Sequence, residues 1–386
     1  MSFMGYKRKD GSFGVRNHVA VLSTVWCANE IVLRIVERVR GTVPITHNMG
    51  CGEYALAPYY PLAGLGKNPN VAAVLVIGLG CELINAKALA GDIAKTGKPV
   101  EYLVIQEAGG SFKTIEQGIK IAQKMVEETS KLRRERAEVS DLTLALKCGG
   151  SDTTSGIAAN PSLGKAADRI VDDGGTVIMA ETLELVGAQH ILARRAVDEK
   201  SSQQILKVIS AMEERMTRAF PYPVPLIAPG NIQGGLTTVE EKSLGDSFKS
   251  GSSPIQGMLE YAQKPKKKGL WIMDEVGYDP ESVTGMVAGG AQIVAFTTGR
   301  GTPGTNPIAP VIMITGNPST YKKLEGDIDI NAGTIIEGRE AIDDVGKHIY
   351  DKILAVASGE ATKTEALGHR GPIAIYWAWP VPKPKC

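Results

Sequence analysis

Cys27, Cys51, Cys81 and Cys148 each follow a short apolar run: VLSTVW, PITHNMG, LVIGLG and LTLALK respectively. Thiolates are soft ligands that suit iron, an iron–sulfur cluster or zinc. Glycine adjoins three of them, in GCG, GLGC and KCGG. Glycine there lets backbone pass close to a bound group and offers unblocked N–H donors. No CxxC pair is present, so sequence proximity alone makes no metal site. The alternative is that these are small buried core residues, the commonest fate of a free cysteine.

The elements around these cysteines give them a common position. The spacing predicts strands at Val19–Val25, Thr42–His47, Val71–Gly80, Val100–Gln106, Leu142–Leu146 and Gly175–Glu181. Helices are predicted over Ala28–Val39 and Ala86–Gly97, with a long charged one from Lys113 to Ala137. Apolar strands separated by helical segments read as a parallel sheet covered on both faces. In such sheets ligands gather outside the carboxyl ends of the strands, which is where the four cysteines fall. The fold class expected is α/β: a parallel-rich, Rossmann-like domain over residues 1–224, then a second Gly-rich α/β domain over 225–386. The proline-dense FPYPVPLIAPGN, Phe220 to Asn231, marks the boundary. Beyond it LWIMDE, AQIVAFTT and APVIMIT read as strands, and REAIDDVGKHIYDKILAVAS as a helix.

Composition narrows the function class. The 386 residues carry a net charge of +1, with 43% apolar and 22% charged residues. Such a chain has no global field for nucleic acid or a membrane surface. No apolar run approaches the roughly 20 residues of a membrane helix, and the N-terminus lacks an apolar signal core. A cytoplasmic protein is expected. No G-x-G-x-x-G follows the first strand, where the residues are VLSTVWCANE, which argues against a nucleotide-binding oxidoreductase.

Several long motifs carry a resemblance. They are GYKRKDGSFGVRNHV, GCG, NPNVAAVLVIGLGCE, KCGGSDTTSGIAANP, GAQHILARRAV, GNIQGGLTTVEEKSLG, FTTGRGTPG and DINAGTIIEG. With these, nearly the whole chain resembles the altronate and galactarate dehydratases, together with the large subunit of sulfolactate sulfo-lyase. The resemblance implies an iron-dependent hydro-lyase that converts a sugar acid to a 2-keto-3-deoxy acid. The other outcome it allows is a sulfo-lyase that releases bisulfite and pyruvate. The dehydratases usually begin with a small separate domain; here the chain starts at the catalytic portion, so a separate small subunit is a candidate partner. A homo-oligomer is also expected, and a non-catalytic scaffold subunit is the reading of a different class.

Dehydration removes the C2 proton beside a carboxylate and the hydroxyl on C3, and a metal that spreads the developing charge would help. Cys51, Cys81 and Cys148 are the expected ligands of iron, as Fe2+ or a cluster, leaving a position open for substrate. Cys27 is held in reserve, and His47 and Glu82 would join for mononuclear iron. His190, matched to a family histidine, is the candidate base, and Asp152 either assists or caps the following helix. Arg300 between Gly299 and Gly301 could hold a carboxylate bidentately. Lys242 could neutralise substrate, or pair with Glu240 or Glu241. Asn160 and Asn331 could bind hydroxyls or cap turns.

Overall fold

The structure, a computed structural model, describes residues 1–51, 58–219, 227–371 and 373–376. Its strands are β1 Ser2–Lys7, β2 Phe13–Gly14, β3 His18–Ser23, β4 Thr42–Ile45, β5 Val71–Gly78, β6 Val100–Val104 and β7 Glu135–Glu138. They continue with β8 Thr143–Cys148, β9 Thr176–Met179, β10 Ile255–Leu259, β11 Gly269–Met273, β12 Ile293–Thr298, β13 Val311–Thr315 and β14 Ile330–Asn331.

Two parallel sheets dominate. The smaller has the order β4-β3-β5-β6 and the larger β10-β11-β9-β8-β12-β13-β14. The apolar runs explain their centres: every residue of β5, β12 and β13 is buried, as expected for strands covered on both faces. A third, antiparallel sheet joins β2, β1 and β7. One expectation is corrected here. The long charged helix stops at Thr129, and Glu135–Glu138 is a strand paired with β1. That pairing is a contact over more than a hundred residues, which local charge spacing cannot reveal.

The boundary expected at residue 224 is not where the sheets divide. β8 and β9, which precede it, hydrogen-bond to β12 and β11, which follow it. The division falls instead between β6 and β8. The proline-dense stretch connects strands of one sheet, and its residues 220–226 lie outside the described residues.

The two parallel sheets share a core in which Leu22, Val74 and Val76 pack with Ala145, Ile178 and Val294. Helices Tyr59–Lys67 and Asp279–Ala288 meet at this seam, so closely that a Cβ on Gly64 would lie 2.4 Å from the Ala288 carbonyl oxygen. Two buried asparagines fix the seam's direction. Asn68 donates to the carbonyls of Val287 and Ala291, both at 2.8 Å. Asn70 donates to Gln292 and Ile308, just before β12 and β13, at 2.8 and 2.9 Å. The amino ends of β5, β12 and β13 therefore meet at one seam. The strands run away from it, so the carboxyl edge of each sheet lies at the end far from the seam.

Candidate functional site

At the carboxyl edge of the larger sheet, β8 ends on Cys148 and β9 leads into Glu181. Gly149 follows Cys148 because a Cβ there would lie 2.7 Å from Asp279 Oδ1, and Gly150 turns with φ of +59°. Glu181 sits at φ 78°, a left-handed conformation that a non-glycine residue adopts at a cost. Its N–H donates to Glu275 Oε1 at 2.6 Å, and the Gly277 N–H donates to Glu275 Oε2 at 2.7 Å. Glu275 thus clamps the turn that aims Glu181 inward. Burial pushes the Glu275 carboxyl up to about 7, against the pull of the Gly277 N–H and the Lys147 ammonium.

A network of charges fills the interior of this edge. Lys147, Lys249 and Glu181 are fully buried. Lys147 Nζ binds Glu181 and also lies 2.8 Å from Asp279 Oδ1. Lys249 Nζ lies 2.5 Å from Glu181 Oε2 and 3.0 Å from Cys148 Sγ. Lys242 Nζ joins Glu184 Oε2 at 2.7 Å to Asp246 Oδ2 at 2.8 Å. Cys148 Sγ stands 3.0 Å from Asp246 Oδ1 and 3.5 Å from Glu184 Oε2. Burial, with the charges of Asp246 and Glu181, pushes the Cys148 thiol well above its ordinary value. Burial would also raise Glu184, but the ammoniums of Lys242, Lys147 and Lys249 outweigh it and hold that carboxyl below the usual range. Glu184 and Lys242 face a cleft of about 470 Å³ lined also by Asn231, Gly277, Tyr278 and Asp279.

Among the described residues, Cys148, Glu184 and Asp246 form the one group of three potential ligands whose donor atoms lie within 4.8 Å of one another. One thiol and two carboxylates match iron in donor type, but the surroundings do not fit a divalent ion. Lys242 Nζ already bridges the two carboxylates, and Lys249 Nζ already lies against the thiol. A metal there would face both ammoniums at close range.

The expected cysteine trio is therefore divided. Cys148 is buried in the larger sheet, whereas Cys51 and Cys81, with Cys27, are exposed at the carboxyl edge of the smaller one. A sequence cannot show which strands share a sheet. His47 and Glu82 are also engaged otherwise than expected. The His47 Nε2–H donates to the Ser23 carbonyl at 3.1 Å, and Nδ1 accepts from the Met49 N–H at 3.2 Å. Burial lowers this imidazole to about 4. The carboxylate of Glu82 accepts from Thr24 Oγ1 at 2.5 Å, the Leu79 N–H at 2.9 Å and the Gly80 N–H at 2.6 Å.

Other expectations are met unevenly. Lys242 is in the network, paired with Glu184 and Asp246 rather than with Glu240 or Glu241. Asn160 is buried behind it: its Nδ2 donates to the Gly245 carbonyl at 3.0 Å, and its Oδ1 accepts from Thr297 Oγ1 at 2.6 Å. His190 is exposed on the short helix Gln189–Ala193. Asp152 caps: its Oδ1 accepts from the Ser155 N–H at 3.0 Å and its Oδ2 from Asn317 Nδ2 at 2.8 Å. Asn331 also caps, accepting from the Gly333 N–H at 2.9 Å. Arg300 is exposed, with Nη1 donating to the Gly230 carbonyl at 2.7 Å and Gln233 Oε1 at 2.9 Å. It lines a second cleft of about 570 Å³ beside Asp152 and Asn317. Gly299 allows this packing, since a Cβ would lie 2.2 Å from Asp152 Cγ, and Gly301 turns with φ of +90°.

Sequence reasoning missed Glu181, Glu184, Asp246, Lys147 and Lys249. Glu181 ends a predicted strand, Glu184 follows it, and Lys147 adjoins Cys148, so position at the end of a strand was the available signal. Asp246 and Lys249 lie on and just after the helix Val239–Ser247, and nothing local points them at Cys148.

Comparison with known proteins agrees with this architecture. Residues 5–130 match the family described as D-galactarate dehydratase/Altronate hydrolase, second domain. Residues 139–379 match D-galactarate/Altronate dehydratase, C-terminal. This chain belongs to the galactarate/altronate dehydratase family. It is 36% identical to the (2R)-sulfolactate sulfo-lyase subunit beta of Chromohalobacter salexigens, over 96% of both chains. It is 34% identical to the altronate dehydratase of Bacillus subtilis, over 94% of this chain and 75% of that one. It is also 34% identical to the L-threo-forming galactarate dehydratase of Escherichia coli, over 98% and 77% respectively. The family is one of lyases, and the two family matches divide near β7, as the parallel sheets do. No helix among the described residues is long and apolar enough to cross a membrane.

Proposed function

We propose that this chain is a hydro-lyase that dehydrates a sugar acid of the altronate or galactarate type to a 2-keto-3-deoxy acid. The observation that carries the reading is the pairing of Glu184 with Lys242 at the wall of the 470 Å³ cleft, in a chain of this family. The ammonium of Lys242 holds the substrate carboxylate and the charge that develops on it as C2 loses its proton. Glu184 takes that proton, the C2–H electron pair forms the C2=C3 bond, and the C3 hydroxyl leaves as water with the proton that Glu184 returns to it. A carboxylate held low is a weak base, but a substrate anion arriving beside Lys242 offsets part of the ammonium's effect and raises the proton affinity of Glu184. The buried Glu181, Lys147 and Lys249 keep the surroundings charged and fixed, so little reorganisation accompanies the reaction.

A second reading has a specific observation behind it. The match to a sulfo-lyase subunit beta extends over 96% of both chains. In that reading the same residues acidify C2 of sulfolactate, bisulfite leaves in place of water, and a separate small subunit is the partner. The test is anaerobic assay with Fe2+ of altronate, galactarate and (2R)-sulfolactate, with and without a candidate small subunit. Formation of a 2-keto-3-deoxy acid that Glu184→Gln abolishes supports the first reading, and release of bisulfite the second. Full activity in Glu184→Gln would remove Glu184 from the chemistry, and no turnover of any hydroxy acid would overturn both.

A further inference from the structure

Cys27, Cys51 and Cys81 follow β3, β4 and β5, three adjacent strands of one parallel sheet in the order β4-β3-β5. The loops that carry them are tied together. The Trp26 N–H donates to the Met49 carbonyl at 2.8 Å, and the Thr24 N–H to the Ile77 carbonyl at 3.0 Å. Thr24 Oγ1 donates to Glu82 Oε1 at 2.5 Å. Each cysteine is thus one to four residues from a cross-strand hydrogen bond, and all three thiols are exposed at the same edge. The two ring nitrogens of His47 and the carboxylate of Glu82 are spent holding the loops. Exposed Trp26 and Leu83 flank Cys27 and Cys81, giving the edge the apolar surround that tunes a metal centre.

The spacing selects the kind of centre. A single ion bound at about 2.3 Å draws its sulfur ligands within about 4.6 Å of one another. The three thiols do not form such a group among the described residues, whose one set within 4.8 Å is at Cys148. Neighbouring strands stand about 4.8 Å apart, so thiols drawn from three of them suit a larger body.

We propose that Cys27, Cys51 and Cys81 ligate an iron–sulfur cluster, leaving one iron without a protein ligand. This inference rests on the lyase reading only for its use: an iron with an open position is the arrangement that admits a hydroxy-acid oxygen. Cys148 is no part of the cluster.

The test is anaerobic reconstitution of the full chain with ferrous iron and sulfide. Iron, acid-labile sulfide, visible absorbance and the paramagnetic resonance of the reduced protein are then measured. The expected result is about four irons and four sulfides per chain, with visible charge-transfer absorbance. That absorbance should be lost in Cys27→Ser, Cys51→Ser and Cys81→Ser and kept in Cys148→Ser. The three substituted thiols are exposed, so unchanged melting of these variants separates lost ligation from lost folding. Sulfide-free protein, or a cluster kept in the triple serine variant, overturns the proposal, as does loss in Cys148→Ser alone. The readout does not depend on turnover. A cluster present without hydroxy-acid turnover would refute the lyase reading only, and turnover by sulfide-free protein would refute the cluster only.

Discussion

Replacing Glu275 with glutamine removes one buried titrating group while keeping the shape of the side chain. Burial lifts the Glu275 carboxyl from 4.5 to about 7. A carboxyl raised in the folded state contributes stability that is fully present below its unfolded value and is lost as pH rises through its folded value. At about 1.4 kcal/mol for each pH unit, the native protein loses about 3.4 kcal/mol from this group between about pH 4.5 and 7. Glutamine has no such dependence. It does have a fixed cost, because the two carboxyl oxygens of Glu275 accept from the Glu181 and Gly277 N–H groups. The amide offers only one acceptor, so one N–H is left facing a donor at a cost of about 1–3 kcal/mol. Glu275→Gln is therefore expected to be the less stable protein at pH 5 and to draw level with, or pass, the native chain by pH 8. Urea unfolding at half-unit pH intervals, with slopes compared to confirm that the transition is unchanged, reads the difference directly. Two stability curves that stay parallel within about 1 kcal/mol over this range would refute the argument and return Glu275 to an ordinary carboxylate. Activity provides a second reading. If Glu275 clamps the left-handed turn at Glu181, Glu275→Gln lowers kcat with little change in KM, since the amide misaligns the charge network and not the cleft wall.

Other outcomes follow from the same geometry. Lys242→Met leaves Glu184 and Asp246 facing each other without their bridging ammonium; breaking a buried pair in this way costs about 3–5 kcal/mol, read as a lower urea midpoint together with loss of turnover. Arg300→Lys replaces a planar fork with a point charge; if the guanidinium also holds a substrate carboxylate, kcat/KM falls about ten- to a hundredfold, for a charge-assisted bond of about 1.5–3 kcal/mol, with an unchanged melting temperature. Gly299→Ala forces a methyl to within 2.2 Å of Asp152 Cγ; overpacking of about 1–3 kcal/mol is expected, measured by urea unfolding, and normal stability would show that the Asp152 cap moves aside. His190→Ala, on an exposed side chain, is expected to leave turnover near normal, and a large loss of kcat would restore it as a catalytic residue.

The sequence by itself determined the elements and their polarity. Continuous apolar runs such as VAAVLVIG and VIMIT can only be strands buried on both faces, and the helical segments between them demand parallel crossovers. It also determined that the chemistry stands after strands, because carboxyl edges are where loops are free of the sheet's hydrogen bonds. Long motifs marked KCGG and TTGRG, and the structure supplies the reason: Gly149 makes room for Asp279 and Gly299 makes room for Asp152. Only the tertiary structure decided which strands share a sheet. A strand's burial is the same whichever neighbour it has, so Cys148 could be grouped with Cys51 and Cys81 although β8 pairs with β9 and β12. Tertiary structure alone also made a site of Lys147, Glu181, Glu184, Asp246 and Lys249. In sequence each is an ordinary charged residue of the kind that usually faces water. Burying them together is tolerable only because each ammonium meets a carboxylate within hydrogen-bond reach, and that complementarity joins residues as far apart in sequence as Lys147 and Asp279.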